Sequence, residues 1–150
     1  MSEDSNIHHS TRELIQGLGL GELPPALDVE GFRGTKGLPN RLIVDNAIAC
    51  LEEIERSTGI IPLLYTGPSF WKYHLSLAPR CEELKRWPLW EASYDDHPHP
   101  MPWPETACGT RYTFWQHSGS GVVPGVEGDC DVNVFAGTEE QLRVLVGGSA

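Results

Sequence analysis

Leu23-Pro24-Pro25-Ala26-Leu27-Asp28-Val29-Glu30-Gly31 is the stretch on which the fold of the chain turns. Two prolines open an extended run, small and branched apolar residues fill it, and two carboxylates close it before a glycine. Side chains alternate along a strand, so Asp28 and Glu30 share one face while Leu27 and Val29 take the other. Two residues of rise set the carboxylate-bearing positions about 6–7 Å apart along the strand. The carboxyl end of a strand is where barrels and open α/β sheets place their active sites. Carboxylates held close in a partly apolar setting repel each other, which predicts one raised pKa beside one that stays low. A proton donor beside a standing anion is the equipment for cleaving a glycosidic bond. The same spacing also fits a solvated strand end, where acidic residues are common.

On the amino-terminal side, residues 1–17 form a polar lead, with a weak helical pattern from Ser10 to Leu18 capped by Thr11 or Ser10. On the other side, a glycine-punctuated loop from Gly31 to Pro39 is long enough to shape a site. Asn40 is the expected N-cap of a helix over Arg41–Thr58, in which Val44, Ile48, Leu51 and Ile54 recur at helical spacing. Gly59 supplies a left-handed stop, and Ile60 to Tyr65 reads as a buried strand. Helix into apolar strand is the rhythm of a parallel α/β sheet. A short helix around Ser69–Leu75, a solvated charge run at Glu82–Arg86 and a strand over Trp87–Tyr94 follow. That strand sets Trp90, Ala92 and Tyr94 on one face. After a Pro/His loop from Asp95 to Pro104, Arg111–His117 is β-favouring, with Tyr112, Phe114 and Gln116 opposite Thr113 and Trp115. A turn at Ser118–Gly121, a loop to Asp129, a strand at Asp131–Phe135 and a helix capped by Thr138 complete the order.

The 150 residues suffice for one domain with a real core, with no second domain, and are too few for a complete (β/α)₈ barrel. Lys and Arg number 11 against 21 Asp and Glu, a formal charge of −10, which argues against nucleic acid as a partner. No apolar run approaches membrane-spanning length, so no membrane insertion is expected, and Met1–Gly21 lacks the order of a signal peptide. Cys50, Cys81, Cys108 and Cys130 form no C-x-x-C pair and are read as free thiols. His8 and His9 are read as exposed, and His97 and His99 alternate with prolines in a stiff loop without a third ligand, so no metal or other cofactor is expected. Trp71 and Trp87 are read as packing residues, Trp90 and Trp103 as sugar-facing candidates, and Tyr65 as either core or cleft.

Taken in order, these segments resemble glycoside hydrolase family 25, the Chalaropsis-type lysozymes. Pro24 to Glu30 resembles the family's D-x-E signature, Pro62 to Gly67 its next strand, and Leu89 to Tyr94 its aromatic strand. Phe114-Trp115-Gln116-His117-Ser118, the loop through Val123-Pro124-Gly125-Val126, and Asp131-Val132-Asn133-Val134-Phe135 are similar to its closing segment. The resemblance runs from about Leu18 to Phe135 and implies a catalytic domain over 18–146. It implies an α/β fold, an incomplete TIM-like (β/α) barrel of the family 25 lysozyme type. Family members carry an earlier strand with another active-site aspartate, so the resemblance also implies an N-terminally truncated barrel. The activity implied is a muramidase that cleaves the β-1,4 bond between N-acetylmuramic acid and N-acetylglucosamine, acting at the cell wall with the peptidoglycan strand as partner. In that resemblance Glu30 is the acid/base, and Asp28 orients the acetamido group or stabilises developing positive charge. Asp131 lines the cleft, and Tyr65, Trp90, Tyr94 and Gln116 bind sugar.

Two other readings compete with hydrolysis. The missing first strand suits a vestigial module that holds glycan without cutting it. Asp28, Glu30 and Asp131 together suit a carboxylate-held Mg²⁺ or Ca²⁺ in a metal-dependent hydrolase.

Overall fold

The computed structural model describes residues 23–31, 35–94 and 111–147. The weak helix after Ser10, the four histidines at 8, 9, 97 and 99, the Pro/His loop, Trp103 and Cys108 lie outside the described residues.

Five strands form one sheet in chain order: β1 (Ala26–Asp28), β2 (Leu63–Thr66), β3 (Leu89–Ala92), β4 (Tyr112–Gly121) and β5 (Cys130–Phe135). The first four run parallel and β5 returns antiparallel against β4. Strands that follow one another without a reversal of order wind as a barrel does, not as a doubly wound sheet with a switch point. The fold is therefore α/β, an incomplete TIM-like barrel.

The core lies on one face of the sheet. Leu27, Leu64, Leu89 and Tyr112 are successive partners across β1 to β4 and pack into one apolar cluster. Helix α1 (Asn40–Thr58) covers that face with Ile43, Val44, Ala47, Ile48 and Leu51, the helical stripe expected from the sequence. Helix α2 (Pro68–Tyr73) and two 3₁₀ turns, Leu75–Leu77 and Cys81–Arg86, carry the chain from β2 to β3. Trp71 and Trp87 are buried in the same cluster, as packing residues should be.

Several local expectations need correction. Asn40 is the first helical residue of α1, not its cap; Pro39 holds the extended cap position, and its carbonyl accepts the N–H groups of Leu42 and Ile43. The helix does end at Gly59, whose φ of 72° lets its N–H reach the Glu55 carbonyl at 2.9 Å. The charge run at Glu82–Arg86 is solvated as expected, with Glu82, Glu83 and Arg86 exposed, but it belongs to a 3₁₀ turn whose Cys81 and Leu84 are drawn into the core. Ser118–Gly121 is strand, not turn: β4 continues to Gly121, and register shifts against β5 absorb the small residues. The reversal comes later, where Gly125 and Gly128 both have positive φ. After β5, Thr138 caps helix α3 (Glu139–Gly147) with a reciprocal pair, its N–H to Gln141 Oε1 at 2.8 Å and Gln141 N–H to Thr138 Oγ1 at 3.2 Å. No described helix is long and apolar enough to cross a membrane.

Candidate active site

Strand alternation directs a second set of side chains away from the core. Asp28, Tyr65, Trp90, Phe114 and Phe135 are successive register partners from β1 to β5. One step nearer the carboxyl ends of the parallel strands, Ala92, Gln116 and Asn133 form the next row. A cleft of about 350 Å³ opens over these rows, with walls from Asp28, Tyr65, Trp90, Gln116, Asp131 and Asn133. It thus sits where parallel barrels keep their active sites.

Of the residues expected at the site, Asp28, Tyr65, Trp90, Gln116 and Asp131 all line this cleft. Tyr94 joins them through Gln116, whose Oε1 accepts the Tyr94 hydroxyl and also the Tyr65 hydroxyl at 2.8 Å. Glu30 contributes no wall to the cleft but is close enough to raise the Tyr65 pKa along with Asp28. The strand is shorter than expected, since β1 ends at Asp28. Val29 adds one more ladder bond, N–H to Tyr65 O at 2.9 Å, before Glu30 turns out of the sheet. Thr35 Oγ1 donates to the Glu30 carbonyl at 2.7 Å and holds that turn.

The electrostatics also differ from expectation. Both carboxyls are raised: Asp28 by burial, and Glu30 by burial first and then by the negative charge of Asp28. Asp28 does not stay low, because no described cation or donor compensates its loss of water. Tyr65 is pushed up strongly, by burial first, then by its hydrogen bond with Tyr94, then by Glu30 and Asp28. It is a neutral hydrogen-bonding group at any ordinary pH.

Trp90 stands edge-on to Tyr65, ring centroids 5.5 Å apart at 88°, and its indole N–H donates to Asn133 Oδ1 at 2.8 Å. Asn133 escaped the sequence reading, although it lies two residues from Asp131 on the same strand face, which was the available signal. Trp115 points away from the cleft, its indole N–H on the Ser93 carbonyl at 2.9 Å. Among the described residues, Asp28, Glu30 and Asp131 belong to no group of three side chains close enough to hold a metal ion. A larger hollow of about 720 Å³ lies beyond Gly31, between Lys36 and His74, with no described carboxylate in its lining.

Comparison with known proteins agrees with this geometry. The sequence model of glycosyl hydrolases family 25 matches residues 13–126. The chain is 38% identical over 130 residues to the uncharacterized protein YegX of Escherichia coli O157:H7, a match covering 85% of this chain and 42% of that protein. It therefore spans less than half the length of the curated relatives it matches. Among solved structures, the bacterial lysozyme from Streptomyces coelicolor superposes with a TM-score of 0.74 at 24% identity, covering 95% of this chain and 67% of that one. The Clostridium perfringens spore cortex lytic enzyme SleM gives a TM-score of 0.74 at 25% identity, covering 89% of this chain and 45% of that one. The strand order, the D-x-E turn and the match over residues 13–126 agree on one assignment: the chain belongs to glycosyl hydrolases family 25.

Proposed function

We propose that this chain is the catalytic part of a peptidoglycan muramidase, with residues 18–146 as its working domain and Glu30 as the acid/base. The observation that carries the reading is the Asp28–Glu30 pair at the carboxyl end of β1. Glu30 has a raised pKa, caused in part by Asp28, beside a cleft floored by Tyr65 and Trp90. A carboxyl that keeps its proton can deliver it to the leaving glycosidic oxygen. Asp28, ionised across the cleft floor, then faces the positive charge that grows on the sugar ring, or holds the acetamido group of the substrate. Tyr65, Trp90 and Tyr94 offer flat apolar faces with polar tips, which suit a pyranose ring. Gln116 and Asp131 supply hydrogen bonds at its edge.

The test is mass analysis of soluble products after purified peptidoglycan meets the wild-type chain or its Glu30→Gln variant. Muropeptides with new N-acetylmuramic reducing ends are expected from wild type alone, with a loss of about 10²–10⁴-fold in the variant. A thermal midpoint no lower than that of wild type should accompany that loss. Cleavage retained by Glu30→Gln removes Glu30 from the role. A second reading, glycan binding without cleavage, is favoured by one observation. β1 pairs only with β2 among the described residues, so Asp28 is braced from one side. Turnover by wild type excludes it.

A further inference from the structure

Trp90 is half-buried, and its ring orientation is not settled by its own strand. The χ2 torsion of a tryptophan is broad, so packing or a hydrogen bond must select one setting. Packing supplies part of the constraint: Tyr65 meets the ring edge-on at 5.5 Å, and Phe114 lies tilted at 5.8 Å. Both contacts come from the strands flanking β3. The indole N–H, however, reaches past β4 altogether and finds Asn133 on β5 at 2.8 Å. Asn133 is exposed on the cleft wall, opposite Gln116 in register, so burial does not demand its amide there.

We propose that Asn133 is the positioning residue of the cleft, whose carbonyl oxygen fixes the Trp90 ring as the apolar platform for a pyranose of the glycan. This rests on the glycan-cleaving reading for the identity of the ligand, but not for the bond itself. The bond joins the parallel part of the sheet to its antiparallel last strand, so the platform and Asp131, two residues from Asn133, keep a fixed relation. A hydrogen bond to a half-exposed indole is modest in strength, and its loss is expected to act through the orientation of the ring. Binding should therefore weaken by roughly three- to tenfold. The chemical step at Glu30 should be little changed.

The experiment compares wild type, Asn133→Leu, Trp90→Phe and the double variant, using a tetrasaccharide of alternating N-acetylglucosamine and N-acetylmuramic acid. The Trp90 indole N–H resonance is followed in the free protein, and KM and kcat are measured with the sugar. Asn133→Leu is expected to shift that resonance, speed its exchange with solvent and raise KM by roughly three- to tenfold with kcat within twofold. In the Trp90→Phe background, which has no indole N–H, Asn133→Leu should add nothing. An unmoved indole resonance overturns the proposal. So does an equal loss in both backgrounds, which would mean that Asn133 meets the sugar itself. Wild type that binds and cleaves, with Asn133→Leu unchanged, defeats this proposal alone. Wild type that neither binds nor cleaves the tetrasaccharide defeats the muramidase reading and the platform together.

Discussion

Asp28 and Glu30 are coupled through charge, and the sign of that coupling is testable. Asp28 raises the Glu30 pKa, so Asp28→Asn should lower it, read as an acid shift of the Glu30 carboxyl resonance in a pH titration. If Glu30 is the proton donor, activity falls as pH rises through its raised pKa. Stability carries the same sign. Both carboxyls have folded-state pKa values above the ordinary 3.8 and 4.5, so their contribution is fully present below those values. It is lost as pH climbs through the raised ones. Glu30→Gln and Asp28→Asn should each raise the thermal midpoint at neutral pH relative to pH 4. The D-x-E pattern in the sequence was enough to find this pair. Its charge state was not legible, because the surroundings of Asp28 include Tyr65 and cleft walls contributed by residues more than a hundred positions away.

Elements were legible where one periodicity ruled and illegible where small residues served two purposes. Helix α1 followed from its apolar stripe and Gly59, and the closing helix from Thr138. Ser118-Gly119-Ser120-Gly121 has the composition of a turn, yet it lies in β4, because the opposing strand comes too close for side chains. A Cβ at Gly121 would overlap Val132 Cγ2 and stand 3.1 Å from the Cys130 carbonyl oxygen. Val132 is β-branched and cannot swing clear. Gly121→Ala should therefore cost about 1–3 kcal/mol, read from the urea midpoint. It should also weaken glycan binding, since the displaced strand carries Asp131 and Asn133. Gly119 serves differently. Its bare face leaves room between Tyr94 and Asp131, where a Cβ would contact the Tyr94 hydroxyl at 3.5 Å and Asp131 Oδ1 at 3.6 Å.

The molecule as a whole divides its labour between the two faces of one sheet. α1 and the turns after α2 seal one face, and the aromatic row with its carboxylates occupies the other. The formal charge of −10 surrounds a site meant, on the proposed reading, for a polymer that itself carries carboxylates. Like charges slow encounter at low ionic strength, and salt screens them. Turnover of whole cell walls should rise as salt is raised from low millimolar to about 0.15 M, where the screening length shrinks to about 8 Å. An uncharged N-acetylglucosamine oligomer should bind with no such dependence. Barrel winding was readable from the alternation of helix and strand, but the antiparallel return of β5 was not, since its residues read equally well in either direction.

Gln116 has already spent its carboxamide oxygen on two phenols, and Asn133 turns its own to the Trp90 indole. What Gln116 has left to offer is its N–H₂ group. The charged members, Asp28 and Asp131, stand on the two outer strands and accept when ionised. The cleft is thereby sorted into a neutral donor and anionic acceptors, a match for an acylated nitrogen, which brings one carbonyl oxygen and one N–H. A sugar stripped of its acetyl group loses the carbonyl oxygen that this N–H₂ would hold and brings an ammonium that only the carboxylates can meet. On the proposed reading, wall glycans modified in that way should forfeit the Gln116 contact even though their rings are unchanged.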